Sequence, residues 1–126
     1  MALRSFPWGA VYGATKAAQR GFAEALRHEL SGTGVSLTTV YPGAVDTDLH
    51  TAEVADRMPD WTRVGPPPVA AQEIADAAIA GVEADARSVY HPANVQLLGA
   101  VHNTSPRLPD ALLRKLRGPT AAPRRD

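Results

Sequence analysis

Residues 10–47 read AVYGATKAAQRGFAEALRHELSGTGVSLTTVYPGAVDT, and this stretch decides the fold. Residues 10–30 are rich in Ala, Leu, Glu, Arg and Gln, which predicts a helix with an apolar stripe at Phe22, Leu26 and Leu30. Residues 35–41, VSLTTVY, are β-branched and apolar and stand between a glycine and Pro42. This pattern is typical of a strand buried on both faces, so the stretch predicts a helix followed by a strand.

The rest of the chain continues the same alternation. Residues 69–86 form a second helical pattern, and residues 88–91 predict a short strand stopped by Pro92. Residues 44–68 predict an irregular excursion with a short helix around 48–57, and residues 93–102 and 109–117 predict further short helices. Helix, strand, helix, strand is the order of a parallel α/β architecture.

Composition limits the class of protein. A chain of 126 residues, 44% of them hydrophobic, fits one modest domain, which we assign to residues 1–117, with a disordered tail at 118–126. Residues 107–126 carry six bases against two acids, but no aromatic residues alternate with them, so nucleic-acid binding is not expected.

The chain has no cysteine, and its four histidines share no ligand spacing, so no metal site is expected. No segment has the pattern of a signal peptide or the length of a membrane span. A soluble, cytoplasmic protein is therefore the expectation.

Tyr12 and Lys16 carry the first chemical signal. On a helix, positions i and i+4 lie on one face, so the phenol and the ammonium can address one bound molecule. Small residues flank the pair, which lets a flat ligand approach the backbone. The strand that follows delivers Pro42, Gly43 and Thr47 to its carboxyl end, where open α/β sheets bind ligands.

Tyr12-x-x-x-Lys16, followed by a strand that ends in Pro42-Gly43-x-x-x-Thr47, resembles the catalytic half of the short-chain dehydrogenase/reductase family. The resemblance is close over residues 11–49 and continues, in element order, to about residue 90. It implies an α/β fold, the C-terminal half of a Rossmann-like doubly wound parallel sheet. A family serine, a glycine-rich phosphate loop and a helical asparagine have no counterpart in this sequence, so the resemblance implies a fragment that lacks the phosphate-binding half.

The resemblance also implies roles. Tyr12 would be the general acid/base, and Lys16 would bind the nicotinamide ribose and favour the phenolate, since a tyrosine with a pKa near 10 is otherwise a poor base at neutral pH. Pro42, Gly43, Val45 and Thr47 would meet the nicotinamide carboxamide or the diphosphate. The cofactor would be NAD or NADP, the substrate a carbonyl or alcohol, and the complete protein a homo-oligomer.

Several assignments stay open on the residues alone. Thr47 is equally able to cap a helix that starts near residue 49, a role for which Asp46 and Asp48 are alternative candidates. Tyr41 and Trp61 are interpreted as packing residues, and the histidines as surface or packing residues. Apolar residues within the excursion would line a lid suited to a hydrophobic substrate: Leu49, Val54, Met58, Trp61 and Val64.

Two other functions compete with the oxidoreductase. A non-catalytic remnant or interaction module, which keeps the fold elements but binds no cofactor, would explain the missing residues without an erroneous start of the sequence. A sugar-nucleotide epimerase of the extended branch shares Tyr-x-x-x-Lys, but Pro42-Gly43-x-x-x-Thr47 argues against it. The sequence leaves the substrate, the direction of reaction and the choice between NAD and NADP undecided.

Overall fold

The chain was analysed as a computed structural model, which describes residues 3, 5, 9–47, 67–105, 107, 110, 111 and 115. The described elements, in chain order, are α1 (Ala10–Glu29), β1 (Thr39–Pro42), β2 (Val45–Asp46), β3 (Val69–Ala70), α2 (Ala71–Glu83), β4 (Ser88–His91) and α3 (Asn94–Thr104). The expected helix at 48–57, the lid residues and the tail at 118–126 lie outside the described residues, as does most of the helix expected at 109–117.

Two parallel ladders organise these elements. β1 pairs with β4 in a register that runs from Thr39 opposite Ser88 to Pro42 opposite His91. β2 pairs with β3, with Val45 opposite Val69. Parallel neighbours need a crossover between them, and α2 lies in the connection from β1 to β4. The parallel α/β architecture expected from the sequence is thus present: this is part of a Rossmann-like fold.

α2 packs tightly on β4. Gly81 is buried, and a Cβ atom added to it would overlap Cγ2 of Val89. The helix ends two residues later, at Glu83, where the Ala86 N–H donates to the Gly81 carbonyl over 2.8 Å. A glycine at this position therefore lets the helix axis approach the sheet.

The first strand is shorter than its β-branched pattern predicts. It begins at Thr39 rather than at residue 35, and Val35 is 59% exposed. The reason is the length of the strand it pairs with: β4 has four residues, so only four residues of β1 find a partner for their backbone hydrogen bonds. Pro42, expected to stop the strand, is its last residue.

The second helix is also shorter than expected at its beginning. Val69 and Ala70 form β3 instead of the first helical turn, because the Val69 N–H donates to the Ala44 carbonyl over 2.9 Å. Glu73 Oε1 accepts the Ala70 N–H at 3.1 Å and satisfies a donor at the start of α2. The two ends of the excursion at 44–68 are therefore held together.

α1 follows its prediction in extent but not in burial. Phe22, expected in the apolar stripe, is 69% exposed, and among the described residues no hydrophobic side chain is buried. A helix of 20 residues is about 30 Å long, whereas two strands of four residues cover only about 13 Å along their length. The sheet formed by these residues is too small to cover the helix.

Arg27 joins the C-terminal end of α1 to the sheet. Its Nη2 atom donates to the Leu37 carbonyl at 3.2 Å, to Thr39 Oγ1 at 3.1 Å and to the Arg87 carbonyl at 3.0 Å. These acceptors belong to the segments that enter β1 and β4. One guanidinium thus fixes the helix to the amino ends of both strands.

No helix within the described residues is long and apolar enough to cross a membrane.

Candidate functional site

Tyr12 and Lys16 lie on one face of α1, in its first two turns. The Lys16 Nζ atom stands 5.6 Å from the centroid of the Tyr12 ring. This separation is within the range of a cation–π contact, so the positive charge and the phenol share one environment. The predicted juxtaposition of the two side chains is present.

Both side chains remain accessible. Tyr12 is 48% exposed, and Lys16 is partly buried and donates from Nζ to Gln19 Oε1 at 3.1 Å. Thr15 Oγ1 donates to the Tyr12 carbonyl at 2.8 Å, which binds the threonine hydroxyl to the helix backbone. A phenol and an ammonium in this state can reach a molecule that lies on the helix face.

Close packing occurs just beside the tyrosine. Gly13 is buried, and a Cβ atom added there would overlap the side chain of Ser5. Ser5 therefore lies against the first turn of α1. The small residue next to Tyr12 therefore lets Ser5 approach the helix backbone. At this residue the close neighbour is a segment of the chain itself, whereas the sequence suggested a flat ligand.

The turn formed by residues 42–47 is held from two sides. The Gly43 N–H donates to the His91 carbonyl over 2.8 Å, and the Ala44 carbonyl accepts from the Val69 N–H. Val45 is partly buried opposite Val69, whereas Pro42 and Thr47 are exposed. The turn follows the carboxyl end of β1, beside the carboxyl end of β4, as the sequence predicts.

Gly43 faces the turn after β4. A Cβ atom built on it would stand 3.0 Å from Pro92 Cδ and 3.4 Å from Val95 Cγ2. These are tight distances for a methyl group, so a glycine fits and a larger residue requires its neighbours to move.

His91 and Glu73 were not recognised as site residues from the sequence. His91 Nε2 is 3.6 Å from Glu73 Oε2, and the histidine carbonyl is the acceptor for Gly43. One signal could have found Glu73: it stands three residues after Ala70, where a glutamate accepts the N-cap N–H. His91 offers no such signal, because its partners come from distant parts of the chain.

Tyr41 and Tyr90 stack across the β1–β4 ladder, with ring centroids 4.9 Å apart and planes inclined by 10°. Burial is the main cause that raises the pKa of Tyr41 above its ordinary value, and the nearby Arg20 opposes this rise. A phenol that resists ionisation and is stacked on a neighbour is a packing residue, in agreement with the interpretation of its sequence context.

A separate open cavity of about 320 Å³ lies between α1, the tyrosine stack and α3. Its lining includes Arg20, Arg27, Gly99 and Asn103 but none of the predicted site residues. Within the part of the chain that the structure describes, no three His, Asp or Glu side chains cluster in a way that could hold a metal ion.

Comparison with known proteins shows which family the chain resembles. The family model described as short chain dehydrogenase matches residues 1–58. An uncharacterized oxidoreductase from Listeria monocytogenes is 49% identical over 49 residues, which are 37% of this chain and 20% of that protein. An uncharacterized oxidoreductase from Bacillus subtilis is 36% identical over 74 residues, 53% of this chain and 28% of that protein.

A solved structure supports the same conclusion. The crystal structure of a short chain dehydrogenase from Burkholderia cenocepacia in complex with NADP superposes with a TM-score of 0.70 and 29% identity. The superposition covers 90% of this chain and 43% of the Burkholderia chain. The chain is thus similar to short-chain dehydrogenases, in sequence over residues 1–58 and in fold over most of its length. It spans less than a third of the length of these two curated relatives and under half of the solved neighbour.

Proposed function

We propose that this chain carries the acid/base residue and the nicotinamide-side residues of an NAD(P)-dependent short-chain oxidoreductase. The observation that supports this most is the pairing of Tyr12 with Lys16 on an accessible helix face: Lys16 Nζ lies 5.6 Å from the centroid of the Tyr12 ring, in a chain similar to this family. The second part of the site is the Pro42–Thr47 turn at the carboxyl end of β1. The substrate is a carbonyl compound or the corresponding alcohol.

Tyr12 is the proton donor or acceptor in this proposal. In reduction its phenolic O–H gives the proton to the carbonyl oxygen, and in oxidation the phenolate takes the proton of the alcohol. Lys16 places a positive charge beside the phenol, where negative charge develops as the proton leaves. Its hydrogen-bond partner Gln19 is an amide and brings no negative charge that would offset the field of the ammonium.

The residues fit the nicotinamide and ribose part of a dinucleotide. Lys16 would donate to the ribose hydroxyls, and Thr47 has an exposed hydroxyl for the carboxamide or the diphosphate. Pro42, Gly43 and Val45 would form the backbone wall on the nicotinamide side. The Gly43 N–H already donates to the His91 carbonyl, so we expect the backbone hydrogen bonds to the cofactor to come from Val45 onward. The cofactor, NAD or NADP, supplies or accepts the hydride.

The apolar residues of the excursion would define the substrate. We extend the proposal to a ketone or alcohol with a hydrophobic body, on the sequence of residues 49–64 alone.

A hydrogen-exchange footprint tests the proposal on the chain itself. With millimolar NADPH, amide exchange read by mass spectrometry should slow in the first turns of α1 and in residues 43–47. Lys16→Met should remove the footprint at α1. Lys115→Met, which removes a charge elsewhere, should retain it. Equal footprints in the two variants, or none in either segment, would contradict the proposal.

A further inference from the structure

Residues 91–95, which run from the last residue of β4 into the first turn of α3, contact residues 42–47, the proposed cofactor loop, through a backbone hydrogen bond and through side-chain packing. The His91 carbonyl accepts the Gly43 N–H at 2.8 Å. Pro92 and Val95 occupy the space where a side chain of Gly43 would be. We name residues 91–95 the β4–α3 corner.

A second connection runs through the side chain of His91. Its imidazole lies 3.6 Å from Glu73, whose other carboxylate oxygen accepts the Ala70 N–H at the start of α2. Ala70 is opposite Asp46 in the β2–β3 ladder. The corner therefore contacts the loop directly at Gly43 and indirectly, through Glu73 and β3, at residues 45–46.

We propose that the β4–α3 corner positions the cofactor loop, with Val95 and Pro92 as positioning residues that act through Gly43. This inference rests on the proposed function of residues 42–47. None of the corner residues needs to touch the cofactor. They set where the backbone of the loop lies. On one side, Gly43 is hydrogen-bonded to His91 and packed against Pro92 and Val95; on the other, the Ala44 carbonyl accepts a hydrogen bond from β3.

The tight contacts make the positioning sensitive to a single methyl group. A Cβ on residue 43 would be 3.0 Å from Pro92 and 3.4 Å from Val95, so Gly43→Ala requires the loop or the corner to move. Overpacking of this kind typically corresponds to roughly 5- to 150-fold in an equilibrium constant. Val95→Ala in the same chain removes the second of these two contacts, which gives residue 43 room to move away from Pro92, and should recover part of that loss.

The test compares four variants of the 126-residue chain without cofactor. Hydrogen exchange in residues 43–47 should accelerate in Gly43→Ala and, to a smaller degree, in Val95→Ala, because each disturbs the contact from one side. The double variant should exchange more slowly than Gly43→Ala alone. Gly21→Ala is the matched control, since nothing lies within 4 Å of its added Cβ, and it should leave this segment unchanged.

The slower exchange expected in the double variant distinguishes positioning of the loop from a general loss of stability. If the two substitutions act independently, the double variant will exchange faster than either single variant. Unchanged exchange in Gly43→Ala, or faster exchange in the double variant, would overturn the proposal. If Gly43→Ala does not fold, Val95→Ala alone decides. This variant must accelerate hydrogen exchange in residues 43–47 while the exchange rates of β4 and α2 stay the same.

A second arm uses millimolar NADPH as the probe. Protection of residues 43–47 should be lost in Gly43→Ala and partly regained in the double variant. If the parent chain shows no protection by NADPH, the proposed function of the loop fails. The exchange rates without cofactor still decide whether the corner positions the loop.

Discussion

The two parts of the candidate site are held in different ways. Tyr12 and Lys16 take their relative position from the helix itself, because residues four apart lie on one face of it. The loop at 42–47 takes its position from His91, Pro92, Val95 and Val69, all from later in the chain. The spacing of the proposed catalytic pair is thus local in origin, and the loop is held by tertiary contacts.

This difference predicts how each part responds to change. A substitution on the face of α1 alters the chemistry while the helix persists, because backbone hydrogen bonds maintain it. A substitution near the loop alters geometry, because several elements share one small space there. Activity should therefore be most sensitive at α1, and local exchange and stability most sensitive at the strand ends.

The largest expected effect concerns the 126-residue chain by itself. It should show no dehydrogenase activity and should bind NADH or NADPH more weakly than micromolar. The reason is that its sequence contains no glycine-rich loop that could hold the phosphates. Val11, Phe22, Leu97 and Val82 are 63–79% exposed, so self-association is also expected. Calorimetric titration and sedimentation check this, and a folded monomer with micromolar affinity would contradict it.

The next effect is on the chemical step. In an active enzyme that contains this chain, Tyr12→Phe should lower turnover by about a hundred- to ten-thousand-fold, as expected for the loss of a positioned proton donor. Cofactor binding should stay nearly unchanged, because the ring remains. Steady-state kinetics and a separate cofactor titration check this. Retention of more than about a tenth of the activity would rule out the assignment.

Lys16 should matter for both turnover and cofactor binding. Loss of a charge-assisted hydrogen bond costs about 1.5–3 kcal/mol, which corresponds to roughly 10- to 150-fold in Lys16→Met. Lys16→Arg should not restore the parent values, because a planar guanidinium cannot replace a compact ammonium at one point. The measurement is the dissociation constant of NADPH for each variant beside kcat. A methionine variant that binds as tightly as the parent would refute the ribose contact.

The sequence predicted the local features well for a physical reason. Tyr12 and Lys16 depend on helix periodicity, and the strand at 88–91 contains Val89 and Tyr90 and is stopped by Pro92, so neighbouring residues decide both. The β2–β3 ladder was missed because two residues carry no period, and its pairing joins positions 24 apart. The role of His91 was missed because it depends on partners at Gly43 and Glu73.

Burial was the aspect that sequence pattern predicted least well. Phe22 and Val82 stand at periodic apolar positions, yet they are 69% and 63% exposed. Periodicity predicts which face of a helix is apolar but not whether a surface is present to cover it. The shortened β1 has the same origin, because its length is set by four residues of β4 rather than by its own β-branched run.

A medium effect is expected where α1 meets the sheet. Arg27→Ala removes three hydrogen bonds from one guanidinium and should lower the free energy of unfolding by about 1.5–3 kcal/mol. Arg20→Ala is the matched control: its side chain pairs only across one turn with Glu24 and is a third exposed, so it should cost about 0.3–0.5 kcal/mol. Urea unfolding of both variants at one concentration checks the difference, and equal losses would show that Arg27 does not anchor the helix.

The smallest effect sharpens the comparison from the opposite direction, because it should be stabilising. Gly21 lies within α1 with nothing within 4 Å of an added Cβ, so Gly21→Ala should raise the free energy of unfolding by about 0.5–1 kcal/mol. Gly32 and Gly34 have φ angles of +79° and +80°, where alanine is strained, so the same change there should be destabilising by about 1–2 kcal/mol. Thermal unfolding followed by circular dichroism measures all three. If Gly21→Ala lowered the melting temperature, the open surface of α1 would be covered in solution, and the contrast between a locally held helix and a tertiary loop would fail.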